Sequence, residues 1–294
     1  MERTGKESLD NAKPSIKLAS GHSANIECTN DGTYIRKKTN KHEFETYCNL
    51  LEDQKLETII PKIHSMHKED DDYYIEMENL VHNFKKPLVL DLKLGKWLYN
   101  ELDEDYHKYT SKIDGILAAD PVFLTQEELD NNRIWKIRKM QWRMNNTMLK
   151  THDFFLNGFL NDGISEMYKQ IYNYDKAKFE KFISDFFSKN TDAIIPIVDN
   201  IEEIHQILES STFLDDNALL HTSILICVDG LNDQHVRVSL IDFAHSYKIP
   251  DINLEVMKQQ KISILNGLKN ISNFFKVVFE KNSIDHANIH LNEL

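Results

Sequence analysis

Two short segments of this sequence put charged side chains where their neighbours are apolar. The first, PLVLDLKLG over residues 87–95, alternates Asp91 and Lys93 with leucines. In an extended strand successive side chains point to opposite faces, so Asp91 and Lys93 share one face while Leu90, Leu92 and Leu94 share the other. Taken alone, that is a cross-sheet ion pair of small consequence. The second segment, SLIDFAHSY over residues 239–247, ends an apolar run in Asp242, with Phe243 and His245 just behind. A carboxylate at the mouth of a β-hairpin, screened from water by apolar residues, can hold Mg²⁺ against nucleotide phosphates. Magnesium takes one or two carboxylates and fills its shell with phosphate oxygens and water, so a lone Asp suffices.

The elements that must position these groups are legible as pattern. SANIECTNDGTYIRKK reads as two strands joined by the turn Asn30-Asp31-Gly32. KHEFETYCNLLEDQKL places Phe44, Tyr47 and Leu51 at helical spacing. IIPKIHSMHKEDDDYYIEMENL gives two more strands around an acidic loop tip, and VHNFKK links them to the Pro87 strand. From Glu104 to about Asn161 the pattern reads as helical but irregular. Residues 164–190 and 191–213 read as amphipathic helices, with Tyr168, Tyr172 and Phe179 as core rather than site. HTSILICVDG and VRVSLIDFAHSY then form a hairpin, and KQQKISILNGLKNISNFFKVVFEKN closes the chain as a helix.

The chain has 294 residues and a formal net charge of -12, which argues against non-specific binding to nucleic acid or membrane. Any anion it handles must meet a local basic patch. Its three cysteines have no CxxC spacing, and its thirteen histidines form neither HExxH nor a Cys/His zinc pattern. The polar N-terminus resembles no signal peptide, and no run reaches the roughly 18 apolar residues of a membrane helix. The expectation is a monomeric cytoplasmic protein, with a nuclear pool as well, acting on small molecules.

A strand lysine in a small β lobe, a hinge, PLVLDLKLG and a later LIDFAH together resemble the inositol polyphosphate kinase family, built around P-x-x-x-D-x-K-x-G and an IDFAH-type metal segment. The ending VSLIDFAHSY and the preceding TSILICVDG look closest to the inositol hexakisphosphate kinase branch. The chain lacks the G-x-G-x-x-G loop and HRD segment of an ordinary protein kinase. The resemblance implies an α+β fold, two-lobed and ATP-grasp or protein-kinase-like, with a helical substrate-binding insertion. Its expected parts are a flexible N-terminus over 1–22, an ATP-binding N-lobe over 23–83 and a catalytic C-lobe over 84–294, the insertion occupying about 104–161.

The resemblance also implies roles. Lys37 resembles the lysine that contacts ATP phosphates, partnered by Glu43; whether Lys37 or Lys38 faces the cleft depends on strand register. The backbone of Glu78 and Leu80 would hold adenine, and Asp91 the ribose hydroxyls. Lys93 would neutralise the transferring phosphate and steady the acceptor. Asp242 would bind Mg²⁺ with support from Ser223, and His245 would lie beside the acceptor phosphate. In the insertion, Lys136, Lys139, Arg143 and Lys150 fall on one helical stripe, with Arg133 near it and Arg138 off it, a cationic face for a dense polyanion. The stretch SKIDGILAADPVF is less basic than the family pattern there. The implied reaction is γ-phosphate transfer from ATP, with Mg²⁺, to inositol hexakisphosphate, giving a pyrophosphate product with less phosphorylated inositols as side acceptors. The alternatives are a tris- or tetrakisphosphate kinase and a non-catalytic inositol phosphate-binding scaffold.

Overall fold

The computed structural model describes residues 25–161, 164–167, 174–248 and 250–292. The expected lead-in over 1–22 lies outside them, as do Tyr168 and Tyr172. Strands β1 (Ile26–Cys28), β2 (Tyr34–Thr39), β3 (Ile63–Glu69) and β4 (Asp72–Glu78) form an antiparallel sheet in the order β1-β2-β4-β3. Between β2 and β3, helix α1 (Lys41–Leu51) buries Glu43, Thr46, Tyr47 and Leu50, one stripe of a helix. Asn40 caps it by accepting from the Glu43 N–H at 2.9 Å, satisfying a donor that the first turn leaves open.

Strand β5 (Pro87–Leu94) enters a second antiparallel sheet. A helical and irregular stretch follows: β6 (Tyr109–Thr110), α2 (Asp114–Ala119), α3 (Gln126–Asp130), β7 (Ile134–Trp135), α4 (Lys136–Asn146) and α5 (Leu149–His152). Next come β8 (Phe154–Asn161), β9 (Ile164–Met167), α6 (Lys176–Phe186), α7 (Ile194–Ser210) and α8 (Phe213–Asp216). The chain ends with β10 (Ala218–Leu220), β11 (Ser223–Asp229), β12 (Asn232–Ile241), β13 (His245–Tyr247) and α9 (Leu254–Asn292). The five-stranded sheet runs β12-β11-β5-β8-β9, so the charged strand β5 sits at its centre. Leu90, Leu92 and Leu94 are fully buried in the main core, into which α7 and α9 also pack. The α+β class and both hairpins agree with the sequence reading. No helix among the described residues is long and apolar enough to cross a membrane.

Two expectations are corrected. Residues 154–161 are a strand, not the end of a helical insertion, and 164–167 pair with them rather than opening a helix. A short apolar run such as Phe154-Phe155-Leu156 suits either state. What decides is the open edge of β5, whose backbone donors and acceptors must be paired once the strand is buried. The expected stripe is also interrupted. Helix α4 ends at Asn146, Thr147 turns extended, and Lys150 sits on the separate α5, exposed to solvent.

Gly95 explains the last letter of its segment. Its φ is +81°, and a Cβ there would fall 2.3 Å from Gln260 Nε2. Gln260 is fully buried, accepting from Trp97 N–H at 2.9 Å and donating to the Leu219 carbonyl at 2.6 Å, so it has little room to yield. Gly95→Ala should therefore destabilise the protein by about 2–3 kcal/mol, combining backbone strain with overpacking. Urea unfolding measures this; an unchanged midpoint would show that Gln260 can step aside.

Candidate active site

Four charged side chains converge where the two sheets meet. Strand alternation resolves the register left open by the sequence: Lys37 faces inward, while Lys38 points out to Asp72 at 2.5 Å and is half exposed. Lys37 Nζ donates to Glu43 Oε1 at 2.7 Å and to Asp242 Oδ1 at 3.3 Å. Lys93 Nζ donates to the other Asp242 oxygen at 2.6 Å. One carboxylate thus bridges a lysine from each sheet. Asp242 follows β12 with φ 65°, a left-handed conformation that Asp tolerates better than most residues and that tends to persist at functional sites.

Helix α1 holds this junction in place. Glu43, fully buried, also accepts from the Phe243 backbone N–H at 3.2 Å. Phe243 is itself buried and meets Tyr47 edge-on, ring centroids 5.0 Å apart. Asn40, besides capping α1, donates to the Ala244 carbonyl at 2.8 Å. The segment carrying Asp242 is therefore pinned on three consecutive residues.

The two carboxylates of the site are held in opposite ways. Burial drives the Asp242 pKa up, but Lys93 and Lys37 outweigh it and keep the carboxyl far below its ordinary value. Lys37, pushed down by burial, is carried above the ordinary lysine value by Glu43 and Asp242. Asp91, only 1% exposed, is raised overall. Burial is the main cause and Lys93 opposes it; Asp242 adds to the rise, while Ser223 and Asn157 hydrogen bonds resist it. Asn157 Nδ2 lies 3.1 Å from Asp91 Oδ2. Ser223, opposite Lys93 in the ladder, supports Asp91 rather than the expected Asp242.

Among the described residues no group of three or more His, Cys, Asp or Glu could cage a metal ion. The donor set instead fits a Mg²⁺ that brings phosphate oxygens with it. Asp242 has the more open carboxylate, with 37% of its side chain exposed, and Asp91 lies within electrostatic reach behind it. Further along the same face, Leu80, Val89, Leu160 and Cys227 form a small apolar cluster apart from the main core, with Val81, Phe84 and Leu225 against it. Leu80 is thus placed on that cluster. Glu78 pairs with Tyr34 in the β2–β4 ladder, and its N–H is committed to the Lys62 carbonyl at 2.9 Å.

The insertion supplies the cations. Lys139 and Arg143 of α4 are buried at 4% and 8% exposure, Lys136 is half-buried and ion-pairs with Asp105 at 2.5 Å, and Lys112 is exposed. Lys112, Lys136 and Arg143 all act electrostatically on Lys139. Lys136 and Arg143 share electrostatic neighbours with Lys93: Lys93 and Lys136 act on His245, and Lys93 and Arg143 on His221. His245 lies against His221 and Tyr106, ring centroids 5.2 and 5.6 Å away. Burial lowers its pKa more than Asp103 raises it. Arg133 is spent on the Tyr109 ring at 4.3 Å and Arg138 on Glu128 at 2.9 Å. Sequence reading missed Lys112, Asn157 and His221. Lys112 sat within the stretch judged too weakly basic, and the other two reach the site only through strand pairing and a left-handed turn at His221.

Comparison with known proteins matches residues 74–276 to a family model described as inositol polyphosphate kinase. Inositol-trisphosphate 3-kinase C of Mus musculus is 26% identical over 254 residues, covering 81% of this chain and 35% of that protein. Inositol-trisphosphate 3-kinase A of Rattus norvegicus is 26% identical over 243 residues, covering 80% of this chain and 52% of that protein. The chain thus spans about half the length, or less, of these relatives. The crystal structure of the S. cerevisiae inositol phosphate multikinase Ipk2 in complex with ADP and Mn²⁺ shares the fold, with a TM-score of 0.58 at 18% identity, covering 83% of this chain and 98% of that one.

The opposite electrostatic situations of Asp242 and Asp91 make a paired test. A depressed carboxyl pKa stabilises the fold above the ordinary Asp value and loses that contribution as pH falls; a raised one costs stability once the group ionises. At pH 7 Asp242→Asn should therefore lower stability, by roughly 1 kcal/mol after screening of a partly open group. Asp91→Asn should raise it. Thermal unfolding of both variants reads the two signs, and equal signs would contradict the charge arrangement described.

Proposed function

The chain belongs to the inositol polyphosphate kinase family, and from that premise we propose that it transfers the γ-phosphoryl of Mg-ATP to a hydroxyl of an inositol tris- or tetrakisphosphate. The observation that carries this reading is Asp91, a buried carboxylate with a raised pKa beside Lys93 and Asp242. A hydroxyl acceptor must lose a proton as it attacks, and a carboxylate whose pKa is raised by burial is better suited to take it than an ordinary one. A fully phosphorylated acceptor would need no such base. The names of the relatives point the same way. Hydroxyl phosphorylation therefore takes precedence over the hexakisphosphate reaction suggested by the LIDFAHS segment.

The remaining roles follow from position. The apolar cluster around Leu80 and Val89 would be the surface against which a purine base lies. Val89 and Lys93 are four residues apart on one strand face, about 13 Å in extended chain, so the base and the terminal phosphates can lie along β5. Lys37 binds phosphate oxygens, and Glu43 keeps it charged and aimed. Bound Mg²⁺, held through Asp242, supplies charge neutralisation across the phosphates. Lys93, released from Asp242, then reaches the transferring phosphoryl and the acceptor. Asp91 serves the phosphoryl end rather than the ribose, because its electrostatic neighbours are Lys93 and Asp242. Lys112, Lys136, Lys139 and Arg143 receive the acceptor's phosphates. The gathering of Lys37, Asp91, Lys93 and Asp242 at one point supports an enzyme over a passive scaffold, which needs no such cluster.

The test is to offer Mg-ATP with inositol tris-, tetrakis- and hexakisphosphate and determine phosphate count and linkage in each product by NMR. The expected products are new monoesters on the less phosphorylated rings. Turnover should fall about 100-fold or more in Asp91→Asn, the contribution of a positioned general base. A diphosphate formed only from hexakisphosphate, at a rate indifferent to Asp91→Asn, would restore the pyrophosphate reading.

A further inference from the structure

We propose that Tyr247 is a positioning residue of the acceptor site: backed by Asp103, its hydroxyl keeps the imidazole proton of His245 on Nδ1. His245 then offers a bare Nε2, which takes a hydrogen bond from a free hydroxyl of the acceptor ring. The inference rests on the hydroxyl-acceptor reading above. Its basis is a line of contacts running from a carboxylate to the imidazole. Tyr247 Oη donates to Asp103 Oδ2 at 2.5 Å, and His245 Nδ1 lies 3.4 Å from the same Oη.

Each member of that line is fixed from elsewhere. His245 and Tyr247 lie two residues apart on β13, so their side chains share a face, and β13 pairs with β10 through Leu220 and Ala218. The Tyr247 ring is buried and tilts against His42 of α1, centroids 5.3 Å apart. Asp103 uses its other oxygen, Oδ1, to accept from the Asp105 N–H at 2.8 Å, capping the turn Glu104–His107. That turn brings Tyr106 against the His245 ring, with His221 beside it. The imidazole is thus packed by two rings and engaged at Nδ1. Its Nε2 has no hydrogen-bond partner among the described residues.

Hydrogen counting sets the direction. An ionised carboxylate only accepts, so the one hydroxyl proton of Tyr247 goes to Asp103. Burial and the bond to Asp103 hold that hydroxyl far above its ordinary pKa, so it keeps the proton. The Tyr247 oxygen is left with lone pairs alone to offer, and His245 Nδ1 must bring the hydrogen. In a neutral imidazole the other nitrogen is then an acceptor, and burial favours the neutral form of His245. Lys93 and Lys136 are both electrostatic neighbours of this ring, so an acceptor held by those cations meets it. A phosphate oxygen brings only lone pairs to Nε2, whereas a hydroxyl brings a hydrogen. His245 so set favours a ring that still carries a hydroxyl over one phosphorylated at every position.

The experiment is ¹⁵N NMR of the full chain at pH 8, with the His245 ring signals identified by their loss in His245→Gln. Wild type should carry the proton on Nδ1. Tyr247→Phe keeps the ring and loses only the hydroxyl, and there the preference should disappear. A cavity of about 510 Å³, lined by His42, Asp103, Glu104, Tyr247 and Asp251 among others, lets water solvate the released carboxylate. Calorimetry then compares inositol 1,4,5-trisphosphate with its 2-, 3- and 6-deoxy analogues. One analogue should bind wild type about fivefold more weakly, the worth of one neutral hydrogen bond. Tyr247→Phe should erase most of that difference. A proton on Nε2 in wild type, or the same tautomer in Tyr247→Phe, overturns the inference while the acceptor reading stands. So do analogues that all bind like the parent, or a penalty that Tyr247→Phe leaves intact. Absence of any binding of the trisphosphate overturns the acceptor reading, and the role of Nε2 with it.

Discussion

The arrangement turns on one carboxylate shared between two lysines. Asp242 joins Lys37 of the four-stranded sheet to Lys93 of the five-stranded sheet. Nearly everything local serves to keep it there: the left-handed turn after β12, the buried Phe243 behind it, the Glu43 and Asn40 contacts from α1. A buried ion pair is weak evidence for stability, because desolvation consumes most of what attraction returns. Its better justification is that each partner has somewhere else to go. On the proposed reaction, the lysines would exchange one anion for another when nucleotide phosphates enter, and Asp242 would be freed for a cation.

The same economy of charge governs the protein at large. A chain of net charge -12 repels anions at long range. Attraction must then be local, and it is concentrated in α4 and the segment before α2, where cations lie at graded depth. Acids are close by, yet they are tied off: Asp105 by Lys136 and Lys108, Glu128 by Arg138. In sequence Arg133 lies near the cationic stripe and Arg138 off it. Their contacts assign them to holding the insertion together, Arg133 over Tyr109 and Arg138 over Phe123.

How much of this was legible in the sequence follows from what kind of signal each feature leaves. Strand alternation made Asp91 and Lys93 neighbours with no help from tertiary structure, and two hairpins announced themselves through turn residues. The helix α1 was visible as spacing. Register was not: Lys37 and Lys38 are equivalent in sequence, and only the pairing of β2 with β4 turns the first inward. Residues 154–161 misled because their apolar run lacks a decisive period, and their state was settled by β5 needing a partner on that edge. Asn157 was invisible for the same reason. Lys150 kept its apparent place on a helical wheel only while the helix was assumed continuous; Thr147, whose hydroxyl bonds back to the Arg143 carbonyl at 2.7 Å, ends it.

Asp91 shows how depth and neighbours bear on a role that alternation and resemblance leave open. From alternation alone it is half of an ion pair, and from resemblance a ligand for the nucleotide sugar. Depth and neighbours argue for something else. A carboxylate that merely anchored a ribose could sit at the cleft rim, solvated and fully ionised at little cost. Asp91 is instead sunk at the centre of the sheet, where burial and Asp242 both oppose its ionisation and Lys93 is the chief force sustaining it. Moving Lys93 onto a phosphoryl group removes part of that support at the moment of transfer. The proton affinity of Asp91 would therefore rise just when, on the proposed reaction, an attacking hydroxyl has a proton to give up. On the proposed reaction, one ammonium would draw the phosphoryl forward and, by leaving, ready the base. Two charges on one strand face, two residues apart, allow a single side-chain movement to do both.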